Sequence, residues 1–158
     1  MSLEPGKVEI RDLRESDLAT VIALVELLED APDWPPEIYA ALLQPGAARP
    51  RIVLVAGDTR GGEVLGFVVA GLVPPEAELE SIAVASSVQR RGIGRRLLAS
   101  LVTRLRTSGI LQLHLEVRAS NHTALGFYSA QNFNQTGVRP RYYADPEEDA
   151  VLMTLRLA

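Results

Sequence analysis

The sequence predicts an α/β (α+β) chain: a mixed, mostly antiparallel sheet with helices packed on both faces. Three observations carry that expectation. Strand-like runs alternate with stretches of helical period. The order along the chain reads β-α-α-β-β-β-α-β-α-β-β. Turn signals, rather than linkers, separate the runs. At 158 residues, 47% of them hydrophobic, the chain suits one domain spanning 1–158, long enough to bury a core.

Each element has a local reason. Val8 to Leu13 alternates and reads as a first strand. Ser16 is a plausible cap for a helix reaching about Leu28, with Leu18, Val21, Ile22 and Val25 on one face. Pro32, Pro35 and Pro36 break it, and Pro36 to Leu43 suits a short second helix closed by Pro45-Gly46. Three strands follow over Arg51–Ala56, Val64–Leu72 and Ala77–Val84, with Gly61-Gly62 and Pro74-Pro75 at the turns. Arg91 to Arg106 is helical, with Leu97, Leu98, Leu101, Val102 and Leu105 as its apolar stripe and Gly109 as its stop. A strand at Leu111–Val117, a helix at Asn121–Gln131, and closing strands at Asn134–Val138 and Ala150–Leu157 complete the order.

Composition narrows the chemistry. There is no cysteine, which removes disulfides, thiolate metal sites and a cysteine nucleophile. No run is apolar over the length of a membrane span, and no basic segment followed by an apolar stretch opens the chain. A cytoplasmic protein with no membrane partner is expected. The formal net charge of -4 speaks against a nucleic-acid partner. The charge is unevenly spread: no Asp or Glu occurs from Ser81 to Leu115, a stretch holding Arg90, Arg91, Arg95, Arg96, Arg104 and Arg106. That zone suits either one specific anion or a solvated basic helix face.

The segment from Ile82 to Arg96 favours the anion. A strand (Ile82-Ala83-Val84) runs into a short loop, and Gly92-Ile93-Gly94 opens a long helix. Glycines admit a ligand close to the backbone. The unpaired N–H groups and dipole of a helix start favour an anion, and the arginines add charge. This is not a Walker loop, because no Gly-Lys-Ser/Thr follows, and it lacks the third glycine of a dinucleotide fingerprint.

Gln89-x-x-Gly92-x-Gly94 after Ile82-Ala83-Val84 resembles the acetyl-CoA signature of the GNAT acetyltransferases. The likeness continues through Leu113 to Asn121, Tyr128, Phe133, Arg141-Tyr142-Tyr143 and Glu148-Asp149-Ala150, blocks similar to the RimI type, which acetylates the N-terminal alanine of a ribosomal protein. Asp33-Trp34-Pro35 to Tyr39 resembles that family's first loop, although Ala31-Pro32-Asp33 stands where an aromatic is usual. The resemblance implies a GNAT fold with acetyl-CoA as co-substrate and no metal. It also implies pantetheine pairing to the backbone of Ile82, Ala83 and Val84, pyrophosphate held by Arg90, Arg91, Gly92, Ile93, Gly94 and Arg95 after Gln89, and a further contact from Asn121. Trp34, Tyr142 and Tyr143 would border the acceptor. Asn132 replaces the usual glycine before Phe133, a change a left-handed helix stop tolerates.

Transfer of an acetyl group to an amine needs a neutral amine, an aimed attack and a protonated leaving thiolate. Gln112, His114, Glu116 and Arg118 share the polar face of their strand, so Glu116 is a carboxylate near its C-terminal end. Glu78 and Glu80, on the strand before the phosphate loop, are alternative bases. Tyr128 lies two turns after Asn121 and on the same helix face, and its phenol suits a proton donor. The resemblance puts the base at Glu116 and the acid at Tyr128. The acceptor stays open between a protein N-terminus and a small amine, and a non-catalytic acyl-CoA-binding module is the reading from another class.

Overall fold

In the computed structural model the described residues are 7–27, 41, 50–60 and 62–158. Among them, seven strands form one sheet in the order β1-β2-β3-β4-β5-β7-β6. The strands are β1 (Val8–Asp12), β2 (Arg51–Asp58), β3 (Val64–Val73), β4 (Glu76–Val84), β5 (Gln112–Arg118), β6 (Asn134–Tyr143) and β7 (Glu148–Arg156). Every neighbouring pair is antiparallel except β4 and β5. The helices are α1 (Leu18–Glu26), α2 (Ile93–Thr107) and α3 (His122–Ala130). The short helix expected over Pro36–Leu43 falls outside the described residues, Ala41 apart.

Two apolar layers explain why β3 is buried without alternation. Val68 and Ala70 face the core shared with Leu97, Leu101 and Leu105 of α2, while Phe67 and Val69 face Val21 and Leu24 of α1. A strand covered on both faces reads as a continuous apolar run. Gly66 is required there by packing: a Cβ would come within 2.7 Å of the Ala83 carbonyl oxygen.

Three local expectations are corrected. Ser16 does not cap α1, because a 3-10 turn over Glu15–Asp17 comes first and the Asp17 carboxylate accepts the Arg14 N–H at 2.7 Å. Leu111 lies outside β5 and is exposed, because its N–H bonds the Pro75 carbonyl before the ladder begins. The sixth strand runs past Val138 to Tyr143, even though Pro140 removes an N–H donor. Asn132 adopts the left-handed conformation expected of it, with φ 72°.

Two irregularities shape the site. The β3–β4 ladder steps from Val69–Ser81 to Ala70–Leu79, leaving Glu80 as a bulge. The bulge reverses which face each residue takes: Ala77 and Leu79 face the α2 side before it, and Ile82 and Val84 after it. The parallel β4–β5 pairing ends at Glu78–His114. Beyond that point Leu79–Val84 and Leu115–Arg118 each keep one edge without a strand partner among the described residues. The two strands diverge there and leave a slot between the faces of the sheet.

Candidate active site

The start of α2 borders one end of the slot. Gly92 caps α2 with φ 79°, a left-handed conformation that is cheap only for glycine. Arg96 is the first residue of α2 whose N–H returns to the Gly92 carbonyl, at 3.0 Å. The preceding N–H groups are the orphan donors of a helix start. Gln89 folds back to donate from Nε2 to the Val84 carbonyl at 3.0 Å, and buried Val88 anchors the turn beneath. The first turn of α2 carries no acidic residue, and Arg90, Arg91 and Arg95 are exposed around it. These residues fit a pyrophosphate. The rest of the basic stretch is employed elsewhere: Arg96 donates to the Val8 carbonyl at 2.8 Å, Arg104 pairs with Asp12 at 2.6 Å, and Arg106 donates to the Leu157 carbonyl at 3.0 Å. Half of the basic zone therefore ties α2 to strands.

The unpaired edges of β4 and β5 fit the pantetheine arm, which carries amides of its own and can add to a strand edge. Asn121 stands at the start of α3. Its Oδ1 accepts the Ala124 N–H at 3.1 Å, so it is also the cap of α3.

On the opposite face of the sheet from α2 and α3, a groove of about 360 Å³ is lined by Glu76 and Glu78 of β4, His114 and Glu116 of β5, Arg139 of β6 and Thr154 of β7, among others. Glu116 is 19% exposed there, and Arg139 Nη1 lies 3.5 Å from its Oε1. The Tyr142 hydroxyl donates to the same carboxylate, and that hydrogen bond is the main reason the phenol is held above its usual range. His114 is tied at both nitrogens: Nδ1 lies 2.8 Å from Thr154 Oγ1 and Nε2 lies 3.4 Å from Glu76 Oε1. The two alternative bases differ. Glu78 lines the groove, whereas Glu80 is clamped by Arg51, with Nε 2.9 Å and Nη2 3.4 Å from its two oxygens.

Tyr128 sits on the α3 side of the sheet, 9% exposed, with Phe127 and Phe133 packed edge-on at 5.3 and 5.5 Å. Burial, reinforced by the neighbouring Tyr143, pushes its phenol up to about 12. The end of β6 links the two sides. The Tyr142 and Tyr143 rings meet edge-on with centroids 5.0 Å apart; Tyr142 reaches Glu116, and Tyr143 lies near enough to Tyr128 to raise its phenol. The Arg118 guanidinium stacks over the Tyr143 ring at 4.4 Å and pairs with Glu148 at 3.5 Å. Glu148 in turn accepts the Ser120 N–H just ahead of Asn121.

Of the residues expected at the site, Glu116 lines the groove with Tyr142 reaching its carboxylate, and Gln89 to Arg95 gather at the start of α2. Trp34 lies outside the described residues. Sequence reasoning missed Arg139, the Arg118–Tyr143 stack and the Arg51 clamp on Glu80. The first two depend on β6 continuing through Pro140, against that residue's usual signal. The third depends on the bulge, which has no sequence signal here.

Residues 21–133 match the model of the acetyltransferase (GNAT) family. Over 102 residues, 63% of this chain and 69% of the relative, the sequence is 40% identical to the ribosomal protein bS18-alanine N-acetyltransferase of Escherichia coli strain K12. The crystal structure of the ribosomal-protein-S18-alanine N-acetyltransferase from Escherichia coli superposes with a TM-score of 0.79 at 33% identity, covering 96% of this chain and 94% of that one. The ribosomal-protein-alanine N-acetyltransferase from Brucella melitensis gives a TM-score of 0.78 at 26% identity, covering 94% of this chain and 99% of that one. With the family matched over most of its length, its fold shared and its helix-start cradle in place, the chain belongs to the acetyltransferase (GNAT) family and is an acetyl-CoA-dependent N-acetyltransferase.

Proposed function

We propose that this chain acetylates the N-terminal α-amine of a protein, a ribosomal protein in the cytoplasm, with Glu116 as general base and Tyr128 as general acid. The observation that carries the reading is the groove: it has Glu116 on its wall, it runs across β4, β5, β6 and β7, and its floor is mixed polar and apolar. Such a groove suits an extended chain end entering from the side opposite the slot's helices. The Escherichia coli relative named for the alanine of ribosomal protein bS18 supports the same acceptor class.

In this reading the backbone of Ile82, Ala83 and Val84 and the Asn121 side chain hold the pantetheine arm. Gln89 shapes the turn, and Arg90, Arg91, Gly92, Ile93, Gly94 and Arg95 hold the pyrophosphate. Bound acetyl-CoA supplies the activated acetyl group and a thiolate leaving group. Glu116 takes a proton from the incoming ammonium, and Tyr128 holds a proton at its phenolic oxygen for the departing sulfur. A phenol pushed to about 12 keeps that proton at any working pH. Tyr142 borders the acceptor. An α-amine ionises near 7.7–8.0 and a lysine near 10.4, so roughly a tenth of α-amines are already neutral at pH 7, against fewer than about one lysine in a thousand. That difference favours an α-amine as the acceptor.

The test uses wild type, Glu116→Gln and Glu80→Gln with two peptides. One peptide has a free N-terminal alanine; the other has a blocked N-terminus and an internal lysine. CoA release and mass spectrometry should show wild type acetylating the α-amine, Glu116→Gln slower by roughly 10²–10⁴-fold, and Glu80→Gln still active. Preferred acetylation of lysine would overturn the acceptor. A fast Glu116→Gln beside a dead Glu80→Gln would move the base to β4.

A further inference from the structure

The Glu116 carboxylate already holds a cation. Arg139 Nη1 stands 3.5 Å from Oε1, and the Arg139 side chain is 58% exposed against 19% for Glu116. The guanidinium carbon also lies 5.5 Å from the centroid of the Tyr142 ring, and Tyr142 hydrogen-bonds the same carboxylate. Arg139 is thus braced by an aromatic face while it touches the groove from the solvent side. Arg139 pairs with Ala150, and the next paired residue of β6 is Tyr143. Pro140 and Arg141, the latter at φ 54°, lie in the break between.

We propose that Arg139 is a stand-in for the acceptor's ammonium, seated on Glu116 until an amine arrives and displaced toward solvent by it. The proposal rests on the assignment of Glu116 as base. An α-amine reaches the groove largely as ammonium near neutral pH, and it needs the carboxylate face that Arg139 covers. Among the described residues, the other titratable groups around Glu116 are Glu76 and Glu78 of β4, His114 of β5 and Tyr142 of β6. β7 adds only Thr154 and apolar side chains to the lining. The two β4 carboxylates attract either cation and do not choose between them. Because the pair is open to water, it is weak, so the exchange is reversible. Arg139 therefore occupies the Glu116 carboxylate in the free enzyme and competes with the acceptor for it.

The experiment compares wild type, Arg139→Gln, Arg139→Lys and Glu116→Gln, with a peptide bearing a free N-terminal alanine as acceptor and kcat and KM measured from pH 5.5 to 9. Arg139→Gln should lower the acceptor KM by up to about fivefold with kcat little changed. Arg139→Lys, which keeps the charge, should leave the acceptor KM near its wild-type value. An unchanged KM in Arg139→Gln would overturn the proposal, as would a raised one, which would mean that Arg139 contacts the acceptor. A slow Glu116→Gln beside an unchanged Arg139→Gln would sink this inference alone. A fast Glu116→Gln would remove the base assignment, and this inference with it.

Discussion

Tyr128→Phe removes one oxygen from a packed site, and its consequences separate chemistry from stability. The ring keeps its edge contacts with Phe127 and Phe133, so the variant should fold and bind acetyl-CoA nearly as wild type does. If the phenol donates the proton to the leaving sulfur, kcat should fall by roughly 10²–10⁴-fold. The same oxygen leaves a mark on stability. The phenol is pushed from its ordinary 10.0 to about 12, chiefly by burial. A raised value in the fold means that the site's contribution is fully present below pH 10 and is lost as pH rises through 12. At pH 11 the unfolded chain has lost its tyrosine proton while the fold keeps it, which costs the fold about 1.4 kcal/mol relative to pH 8. Phenylalanine has no such proton. Urea unfolding of both proteins at pH 8 and pH 11 should therefore show the stability difference moving toward the variant by about 1.4 kcal/mol. An equal difference at the two pH values would refute the burial argument. Near-wild-type turnover in Tyr128→Phe would refute the proton-donor role.

Two further substitutions test the frame around the site. Gly92→Ala places a Cβ at φ 79° and should cost about 1–2 kcal/mol together with most acetyl-CoA affinity. At Gly94, by contrast, an added Cβ would meet Phe127 Cζ at an ordinary 3.5 Å, so Gly94→Ala should fold normally; calorimetry and thermal melts on the pair check both. Asp17→Asn breaks the fork in which Arg11 reaches both Asp17 oxygens at 2.8 and 3.0 Å and should cost about 2–4 kcal/mol at pH 7. Arg11 holds the Asp17 carboxyl below its ordinary 3.8, so that stability is present above pH 4 and lost as pH falls through the lowered value. Denaturation midpoints of wild type and Asp17→Asn should converge in acid.

How much was legible beforehand depends on the range over which each signal acts. Gln89, Gly92 and Gly94 were readable because a phosphate cradle is a local device: a turn, a left-handed cap and a helix start lie within a few residues. The strand alternation that puts Glu116 on the polar face of β5 is local as well, and so is the left-handed stop at Asn132. Glu80 was not separable from Glu78 in the sequence, where both sit on one face of one strand. A bulge and an arginine 29 residues upstream in β2 divide them: Glu80 is clamped by Arg51 and Glu78 faces the groove. The arginines of α2 looked like one basic zone, and only the packing of β1 and β7 shows which of them are spent on carbonyls and Asp12. Arg139 could not be read at all, because Pro140 argues for the end of a strand that in fact continues. By itself, then, the sequence determined the family, the order of the described elements and the turn and helix start around Gln89 to Gly94, all of which are written in short-range pattern. The tertiary structure alone decided which carboxylates line the groove and which arginine pairs with Glu116. Those are contacts between residues tens of positions apart, set by register and bulge rather than by composition.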